Sequence, residues 1–509
     1  MNAKAPNFTS ATNDVRSRKV VEMAIVGAGF GGMAMAIRML QEGNTDFVLI
    51  DKGNTVGGTW RENTYPGAAC DVQSHMYSFS FEGKTDWSKR YAGWEEIQNY
   101  IQDTAKKYQL DQYARFNTEV TAAHYDQETA YWTLTFQDGD TLKCKFFVLA
   151  SGPLHVPQIP KIKGIENFKG KVFHSAQWEH DYDLAGKNVV SIGTGGSAIQ
   201  YVPEIAPVVK QLYVMQRTPA WVIPRDERRY LEIEKKIFAK FPSLRRLHRA
   251  RLYWSNESRV VPIFQPKLMK QGQKLVEAFY RYQVKDPVLA KKLIPNYVLG
   301  CKRILISNKY LPTFNRPNVE LVTDGIAEVR ENSIVTRDGV ERPVDTIIYG
   351  TGFITDPRIY MKNFACTGLE GRDLMKDWQD GAESYYGVTT AGYPNMFQLV
   401  GPNTGLGHNS IIFMIEAQVH YILEMMKVMH KQKADFVDVR ADAQKAFNDQ
   451  VQKNLEGTVW SSGCTSWYQQ DGGKNFALWP GYTWRFWLET RKVKARDYIF
   501  GKAKKSVSA

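Results

Sequence analysis

The sequence predicts an α/β fold with two Rossmann-like dinucleotide-binding domains, and two glycine-rich motifs carry that prediction. The first motif, Gly27-Ala-Gly29-Phe-Gly-Gly32, follows the apolar run from Val20 to Val26. The second motif, Gly193-Thr-Gly195-Gly-Ser-Ala198, follows the apolar run from Val189 to Ile192. Each motif stands between a strand-like and a helix-like segment, which is the order of a dinucleotide-binding βαβ unit.

The charged residue that follows each motif predicts which dinucleotide it binds. Asp51 follows Gly32 by 19 residues, and Arg217 follows Ala198 by 19 residues. An acid at this distance accepts a hydrogen bond from a ribose 2′-hydroxyl, whereas an arginine binds a 2′-phosphate. We therefore expect FAD in the first domain and NADPH in the second. The candidate cofactor-binding residues of these units are Gly27, Gly29, Gly32, Asp51, Gly193, Gly195, Ser197 and Arg217.

The order of apolar segments predicts that one domain is inserted into the other. An apolar run ends the first unit at Gly152, and a similar run that begins at Asp345 suggests that the chain returns there. We expect a discontinuous FAD-binding domain at 1–152 and 345–509 and an NADP-binding domain at 153–344. The second domain would carry a helical insertion at about 225–297. This arrangement is the FAD/NAD(P)-binding, disulfide-reductase-like fold class.

A further cofactor contact is expected where a late helix begins. From Ile412 to Met429, apolar residues recur at steps of three and four, which predicts a helix from about Asn409 with one buried stripe. The free N–H groups and the dipole of its N-terminus would suit the flavin pyrimidine carbonyl. Asn409 is therefore a candidate flavin contact, and a plain strand-to-helix connection is the alternative.

The composition is that of an ordinary globular protein, with 43% hydrophobic and 23% charged residues among 509. No segment reaches the roughly 18 uninterrupted apolar residues of a membrane helix, and residues 1–19 have neither the pattern of a signal peptide nor that of an anchor. The five cysteines form no Cys-x-x-Cys pair, which favours a reducing compartment and argues against a metal site and dithiol chemistry. We expect a cytoplasmic protein without a bound metal.

The net charge of +13 raises the question of an anionic partner. Seven Lys and Arg residues lie between Lys235 and Arg251, where Asp and Glu do not occur. Apolar residues at helical spacing predict an amphipathic helix or helix pair, broken near Pro242. A packed helix with a solvated basic face is the favoured interpretation. We expect no nucleic-acid partner, and weak peripheral contact with a membrane stays open as the alternative.

The segment between the two glycine-rich motifs reads Phe168-Lys-Gly170-Lys-Val-Phe-His174-Ser-Ala-Gln-Trp178. Its spacing, Phe-x-Gly-x-x-x-His-x-x-x-Trp, resembles the fingerprint of the type I Baeyer–Villiger monooxygenases. Other motifs in the order of that family are Gly57-Gly-Thr-Trp60, Tyr65-Pro-Gly-Ala-Ala-Cys-Asp71, Tyr77-Ser-Phe-Ser-Phe81, Gln216-Arg-Thr-Pro219, Lys302-Arg303 and Gly350-Thr-Gly352. The resemblance covers nearly the whole chain.

The resemblance implies an enzyme that uses FAD, NADPH and O2 to convert ketones to esters or lactones, through a C4a-peroxyflavin and a Criegee-type adduct. This chemistry needs a fixed cation, because an anion in a dry pocket is costly unless it is paired. The resemblance assigns that role to Arg303, with Asp71 as the carboxylate that orients it. It also implies that Lys302 and Thr218 help Arg217 to bind the 2′-phosphate. Further candidate flavin-side residues are Gly58, Thr59, Trp60, Tyr65 and Asp71.

Two fingerprint residues are expected to act indirectly. The spacing of His174 and Trp178 would place both on one helical face, and the resemblance links them to coupling between the domains. The family usually has Pro or Asp after the fingerprint Trp, where this chain has Glu179. That departure leaves room for the neighbouring flavin monooxygenases that oxidise nitrogen or sulfur.

The substrate is expected to be a hydrophobic ketone, aliphatic in the first place and aryl or cyclic as alternatives. This expectation rests on the C-terminal segments Gly401 to Ser410, Ser462 to Tyr468 and Leu478 to Gly481, which resemble the branch of the family that accepts hydrophobic linear and aryl ketones. Two other functions stay open at this stage. One is oxidation of nitrogen or sulfur centres, and the other is electron transfer from the flavin to a partner protein.

Overall fold

The computed structural model describes residues 15–469 and 474–504, so the expectations for residues 1–14 lie outside the described part. Eight strands form the first sheet, and in chain order they are Val20–Val26, Phe47–Ile50, Ala114–Arg115, Val120–Asp126, Tyr131–Phe136, Thr141–Leu149, Ala365–Thr367 and Met396–Gln398. Val20–Val26 lies in the middle, parallel to Phe47–Ile50 on one side and to Thr141–Leu149 on the other. Its carboxyl end therefore opens into the first glycine-rich motif.

The second sheet has five parallel strands. Across the sheet their order is Val319–Val322, Gln211–Met215, Asn188–Ile192, Thr346–Tyr349 and Lys171–His174. Asn188–Ile192 leads into the second glycine-rich motif, as Val20–Val26 leads into the first. The two sheets thus repeat one βαβ design, which agrees with the predicted α/β class.

One strand corrects the predicted return of the chain at residue 345. The strand Thr346–Tyr349 lies in the second sheet, between Lys171–His174 and Asn188–Ile192. The chain rejoins the first sheet only with Ala365–Thr367 and Met396–Gln398. The last four residues of each exit strand, 146–149 and Thr346–Tyr349, are buried and are followed by a small residue, so their sequences do not reveal which sheet they enter. The remaining domain limits stay predictions.

The predicted helical insertion lies between the paired short strands Val222–Ile223 and Leu305–Ile306. Its helices are Glu232–Lys240, Pro242–Ser258, Val261–Phe264, Pro266–Gln283 and Pro287–Leu293. The break between the first two falls at Phe241, directly before Pro242. Proline suits the first position of a helix because it has no N–H that would need a partner there.

The other α-helices among the described residues are Phe30–Gln41, Thr59–Glu62, Trp94–Lys107, Ala198–Ile205, Tyr310–Thr313, Pro357–Tyr360, Leu374–Asp377, Ile411–Lys431, Ala441–Leu455 and Thr483–Glu489. Smaller sheets comprise Ile326–Arg330, Ser333–Thr336 and Glu341–Pro343, and the pair Phe436–Val439 and Tyr498–Gly501.

The late helix predicted from Asn409 runs from Ile411 to Lys431, with the Ser410 hydroxyl accepting from the N–H of Ile412. It packs on the first glycine-motif helix, Phe30–Gln41, and the residues of the expected stripe are buried except Met426, which is half-buried. In the described part of the chain, no helix combines the length and the apolar character that a membrane crossing requires.

The cysteines correct one step of the sequence reasoning. Cys301 and Cys464 form a disulfide across 163 residues of sequence, while Cys70, Cys144 and Cys366 are free and buried. Spacing along the chain could not show a pair that the fold brings together. The dispersed cysteines therefore do not support a reducing compartment, and the cytoplasmic location stays a prediction.

Candidate functional site

The first glycine-rich motif is shaped by close backbone contacts. Gly27 has φ +109°, and a Cβ there would lie 2.4 Å from the carbonyl oxygen of Ala150. A Cβ on Gly32 would lie 1.8 Å from the carbonyl oxygen of Gly27, so only glycine fits at either position. Gly29 faces the backbone of Gly58, with 3.0 Å between the Gly29 Cα and a Cβ built on Gly58. This bare backbone surface suits a phosphate group.

Asp51 closes the same motif, as its position predicts. Its Oδ2 accepts from the N–H of Ala28 at 2.7 Å, and its Oδ1 accepts from the N–H of Gly53 at 2.8 Å. The carboxylate is 8% exposed and pairs with Arg61 at 3.0 Å. It is thus fixed in place at the end of the strand Phe47–Ile50.

The second motif repeats the first in detail. Gly193 also has φ +109°, and a Cβ there would lie 2.4 Å from the carbonyl oxygen of Gly350. Gly350 therefore stands against the second motif as Ala150 stands against the first. A Cβ on Gly195 would have no neighbour closer than 4.0 Å, so its backbone is open to a ligand. Ser197 directly precedes the helix Ala198–Ile205.

A pair of cations lies beside this second motif. Burial and the nearby charge of Arg217 both lower the pKa of Lys302, whose ammonium lies 4.9 Å from the centre of the Tyr297 ring. Within the described residues, neither Arg217 nor Lys302 pairs with a carboxylate. The backbone carbonyl of Thr218 accepts from the Thr194 hydroxyl at 3.0 Å, which ties this segment to the motif. Two like charges that lie near each other without a carboxylate partner suit a doubly charged anion such as a phosphate monoester.

Asp71 and Arg303 lie 232 residues apart in sequence and meet in space. The Arg303 guanidinium donates to Oδ2 of Asp71 at 2.5 Å. The charge of Asp71 raises the pKa of Arg303 against the opposing effect of burial, so the guanidinium keeps its proton. The Arg303 side chain is 41% exposed and that of Asp71 is 30% exposed. Among the described residues, Asp71 is the carboxylate that pairs with Arg303, and the exposed remainder of the guanidinium can bind another anionic group.

Aromatic hydroxyls surround this ion pair. Burial, joined by the charge of Asp71 and opposed by that of Arg303, raises the pKa of Tyr65 to about 12. Burial also raises the pKa of Tyr468 to about 12, although the Arg303 charge opposes it. Both phenols therefore keep their protons at neutral pH. Tyr468 belongs to the predicted substrate-side segment, but its position beside Arg303 was not predicted.

The predicted flavin-side aromatics have contacts of their own. The Trp60 indole N–H donates to the Tyr77 hydroxyl at 3.2 Å, and both rings pack edge to face. Tyr65 donates to Oε1 of Gln200 at 2.9 Å, and the Gln200 amide donates to the carbonyl of Ala69 at 2.9 Å. Tyr65 thus links the loop before Asp71 to the helix of the second motif. Thr59 begins the short helix that carries Trp60, with Gly58 as its cap at φ +54°.

The fingerprint residues do not share a helical face, contrary to the prediction from their spacing. His174 ends the strand Lys171–His174, and a single 3₁₀ turn separates it from Trp178. Nδ1 of His174 accepts from the N–H of Ala176 at 3.1 Å, so Nε2 carries the proton that is donated to the carbonyl of Gly352 at 3.0 Å. Burial lowers the pKa of His174, which keeps the ring neutral. The spacing of His174 and Trp178 therefore does not indicate a helix, because His174 lies at the buried end of a strand.

Trp178 and Glu179 follow that turn. Trp178 packs against the rings of Phe173 and Tyr201, at 5.1 and 5.4 Å between ring centres. Glu179 pairs with Lys171 at 2.5 Å, and both side chains are more than a third exposed. Glu179 therefore forms a surface ion pair, of the kind that contributes little to stability.

Asn409 belongs to a buried polar network that the sequence did not reveal. Its amide donates to Oε1 of Glu257 at 2.7 Å. Glu257, on the insertion helix Pro242–Ser258, also accepts from the Thr483 hydroxyl at 2.6 Å and the Thr483 N–H at 3.1 Å, and contacts Nε2 of His408 at 3.3 Å. Glu257 is 2% exposed. Burial raises its pKa, but the bonds from His408, Thr483 and Asn409 outweigh this and leave the pKa below its usual value.

The site therefore brings together three of the predicted groups. Asp51 lies against the first motif, Arg217, Thr218 and Lys302 lie near the second, and Asp71 contacts Arg303. In the described ranges, no cluster of three or more His, Cys, Asp or Glu residues could hold a metal ion. Glu257 was missed because its partners lie at least 151 residues away in sequence.

Comparison with known proteins places this geometry among enzymes. Residues 19–361 match the flavin-binding monooxygenase-like family. A Baeyer–Villiger monooxygenase of Pseudomonas aeruginosa is 46% identical over 94% of this chain and 91% of its own length. One from Streptomyces coelicolor is 43% identical over 94% of this chain and 92% of its own length.

Solved structures give the same result. An oxidised steroid monooxygenase bound to NADP superposes with a TM-score of 0.86 at 28% identity, covering 95% of this chain and 100% of that one. OTEMO in complex with FAD and NADP gives 0.86 at 27% identity, over 94% of this chain and 99% of that one. Cyclohexanone monooxygenase from Rhodococcus sp. Phi1 bound to NADP⁺ gives 0.86 at 28% identity, over 96% and 100%.

Proposed function

The chain belongs to the flavin-binding monooxygenase-like family, as a Baeyer–Villiger monooxygenase that uses FAD and NADPH, and we propose that Asp71 and Arg303 form its catalytic ion pair. Such an enzyme inserts one oxygen atom of O2 next to the carbonyl of a ketone, which gives an ester or a lactone. The observation that carries the proposal is the 2.5 Å contact between Arg303 and Asp71, two residues that lie 232 positions apart in sequence.

The residues present fit both dinucleotides. The Gly27 and Gly193 loops are two backbone cradles that a Cβ would fill, and each opens at the carboxyl end of a parallel strand. We assign FAD to the first cradle, with Asp51 toward its ribose. NADPH is assigned to the second, with Arg217, Lys302 and Thr218 toward its 2′-phosphate. When bound, these cofactors supply the electrons and the oxygen-activating centre of the reaction.

Arg303 would stabilise negative charge on oxygen. A guanidinium stays protonated and can donate to two acceptors at once, and here one edge is held by Asp71. The free edge would bind an anionic oxygen before the ketone is attacked. It would then bind the oxyanion that forms on the ketone. Asp71 would act as the positioning residue that fixes this edge. Tyr65 and Tyr468, which keep their protons, add no competing negative charge.

His174 would position the loop that supports the second cradle. Its neutral ring joins the N–H of Ala176 to the carbonyl of Gly352, two residues after Gly350, whose carbonyl contacts Gly193. We therefore propose that His174 affects the use of NADPH rather than the attack on the ketone. This role agrees with the expectation that the fingerprint couples the two domains.

The substrate is proposed to be a medium to long aliphatic methyl ketone. The segment Ser462 to Tyr468, which carries this expectation, is held against the catalytic loop by the bond from Cys464 to Cys301. Tyr468 is close enough to Arg303 for their charges to interact, and its sequence neighbour Trp467 is 43% exposed. These aromatic side chains would offer an apolar wall to an alkyl chain.

The proposed function is tested with the purified yellow holoenzyme, NADPH and ¹⁸O2. The panel contains 2-decanone, acetophenone, cyclohexanone and a thioether, with products identified by mass spectrometry. One ¹⁸O atom in the ester of 2-decanone is the expected result. Label found only in the sulfoxide would favour the oxidation of sulfur or nitrogen. NADPH consumption without a labelled organic product would favour electron transfer or uncoupled oxidation.

A further inference from the structure

We propose that the outer face of the helix Pro242–Ser258, together with the neighbouring helix Thr483–Glu489, docks on an anionic phospholipid surface. This docking surface is defined by Leu244, Arg246, Leu247, Arg251 and Trp254 on the first helix and by Trp484, Trp487 and Leu488 on the second. The proposal depends on exposure, charge and position, and it does not depend on the proposed ketone.

The apolar residues of the first helix that face outward form one stripe. Leu244, Leu247 and Trp254 are 45%, 66% and 59% exposed. They follow each other at steps of three and seven, with Arg251 at the intermediate turn, so they lie on one side of the helix. This side is distinct from the inner face, where Leu252 and Glu257 are buried. The outer stripe is therefore not needed for packing within the chain.

The charge on this outer side has one sign. Arg245 and Arg249 turn inward and donate to the backbone carbonyls of Gly83 and His75. Arg246 and Arg251 are exposed, and within the described residues neither has a carboxylate partner. The single acidic residue of this helix, Glu257, is buried. Arg251 lies within the apolar stripe and Arg246 lies at its border, about 100° around the helix axis from Leu247. Exposed apolar residues accompanied by unpaired arginines match the pattern of a helix that lies in the plane of an anionic membrane.

The second helix extends the docking surface with aromatic residues. Tyr253 and Thr483 join the two helices through their hydroxyls at 2.9 Å, and Trp254 and Trp484 directly follow these two residues. Trp484, Trp487 and Leu488 are 38%, 39% and 54% exposed. Tryptophan favours the boundary between headgroups and acyl chains, because its ring is apolar and its N–H is polar.

A bilayer fits these features better than a globular acidic partner. A protein partner would need shape complementarity to a narrow stripe on one convex helix, whereas a lipid surface adapts to the side chains that enter it. The arginines would lie at the phosphate level while Leu247 and Trp254 enter the acyl boundary. An apolar stripe could also bind a second copy of the chain, and the experiment below distinguishes this dimer from lipid binding.

The test is co-sedimentation of the holoenzyme with vesicles of phosphatidylcholine, with and without one quarter phosphatidylglycerol. The wild-type protein should sediment with the anionic vesicles at low salt and be released by high salt. The variant R246Q/R251Q should bind about 30-fold more weakly, since each arginine near an anionic surface contributes about a fivefold factor. The variant L247S/W254S should lose at least about tenfold in binding, because apolar side chains no longer enter the bilayer.

A matched control lies on the three-stranded sheet, where Arg337 is exposed and Val340 is 45% exposed. The variant R337Q/V340S should bind vesicles like the wild type. The proposal is overturned if the wild-type protein does not sediment with anionic vesicles, or if L247S/W254S binds as well as the control. Light scattering in solution provides the remaining outcome. A wild-type dimer that becomes a monomer in L247S/W254S would assign this surface to a second copy and would also overturn the proposal.

Discussion

Replacement of Glu257 by alanine should destabilise the contact between the helical insertion and the start of the helix Ile411–Lys431. The carboxylate is 2% exposed and accepts hydrogen bonds from Asn409 and Thr483 at 2.6–3.1 Å, with His408 at 3.3 Å. In Glu257→Ala these buried donors lose their acceptor, at a cost of about 1–3 kcal/mol for each donor left unpaired. Removal of one partner from a buried charged network typically costs about 3–5 kcal/mol in total.

The expected fall in melting temperature is roughly 3–5 °C for a loss of that size, because about 2.1 cal/mol/K per residue over 509 residues gives an unfolding entropy of about 1 kcal/mol/K. It is measured by thermal unfolding with two signals, tryptophan fluorescence and the release of flavin fluorescence. Because Asn409 is the proposed flavin contact, the midpoint temperature of flavin release should fall at least as far as the midpoint measured by tryptophan fluorescence. Glu257→Gln, which retains one acceptor oxygen, should lose less.

Glu232 supplies the matched control, since it lies on the same insertion with a side chain that is 78% exposed. Glu232→Ala should change the melting temperature by no more than about 1 °C, because an exposed ion pair contributes about 1 kcal/mol or less. If Glu257→Ala has the same melting temperature as Glu232→Ala, the network does not stabilise the fold and our assignment of Glu257 is wrong.

The same network predicts a pH dependence with a defined sign. Because the pKa of Glu257 is lower in the folded chain than in the unfolded chain, its contribution to stability is present above the unfolded value. That contribution is lost as the pH falls through the folded value. The melting temperatures of wild type and Glu257→Gln should therefore converge as the pH falls below about 4, which is just under the ordinary pKa of glutamate.

Three further predictions concern the catalytic ion pair, the NADPH-binding cations and the disulfide. Asp71→Ala should slow ester formation by about 100-fold, because Arg303 loses its fixed position, while stopped-flow reduction of the flavin by NADPH changes little. Replacement of Arg217 or Lys302 by alanine should weaken NADPH binding about 10- to 100-fold and leave the KM for NADH nearly unchanged, since NADH lacks the 2′-phosphate. Thiol titration of the denatured, unreduced protein should find three thiols, and reduction should expose those of Cys301 and Cys464.

Each of these predictions has a result that would contradict it. Equal slowing of flavin reduction and ester formation in Asp71→Ala would show a general loss of folding rather than of Arg303 position. An equal rise in the KM values for NADH and NADPH would remove the assignment of Arg217 and Lys302 to the 2′-phosphate. Five thiols without reductant would exclude the disulfide.

The nucleotide-binding units were predictable because their signals are local. A position with φ +109°, or with backbone too close for a Cβ, can be occupied only by glycine, so the glycine itself marks the position in the sequence. Asp51 and Arg217 follow at a distance fixed by the length of one βαβ unit. The reaction class followed from motifs that stand in order along the chain, and comparison with relatives confirmed it.

The features that sequence reasoning missed all depend on distant contacts. The strand Thr346–Tyr349 is buried on both faces, so its sequence fits either sheet. Cys301 and Cys464 meet only after 163 residues have folded between them. Glu257 stands on a helix that reads as basic and exposed, and its burial depends on Thr483, 226 residues later. The spacing of His174 and Trp178 suggested a helix where pairing with Thr346–Tyr349 imposes a strand.

The most direct test of the central claim separates the two halves of the reaction in Arg303→Ala and Arg303→Lys. Flavin reduction by NADPH is followed anaerobically by absorbance, and ester formation from 2-decanone is followed by mass spectrometry. We predict that reduction stays within about tenfold of wild type in both variants, while ester formation falls by at least about 1,000-fold in Arg303→Ala, because the anionic oxygen has no paired cation. Arg303→Lys should recover a small part of that loss, since an ammonium lacks the second donor edge. Ester formation by Arg303→Ala at a rate near that of wild type would contradict the assignment of Arg303 as the catalytic cation.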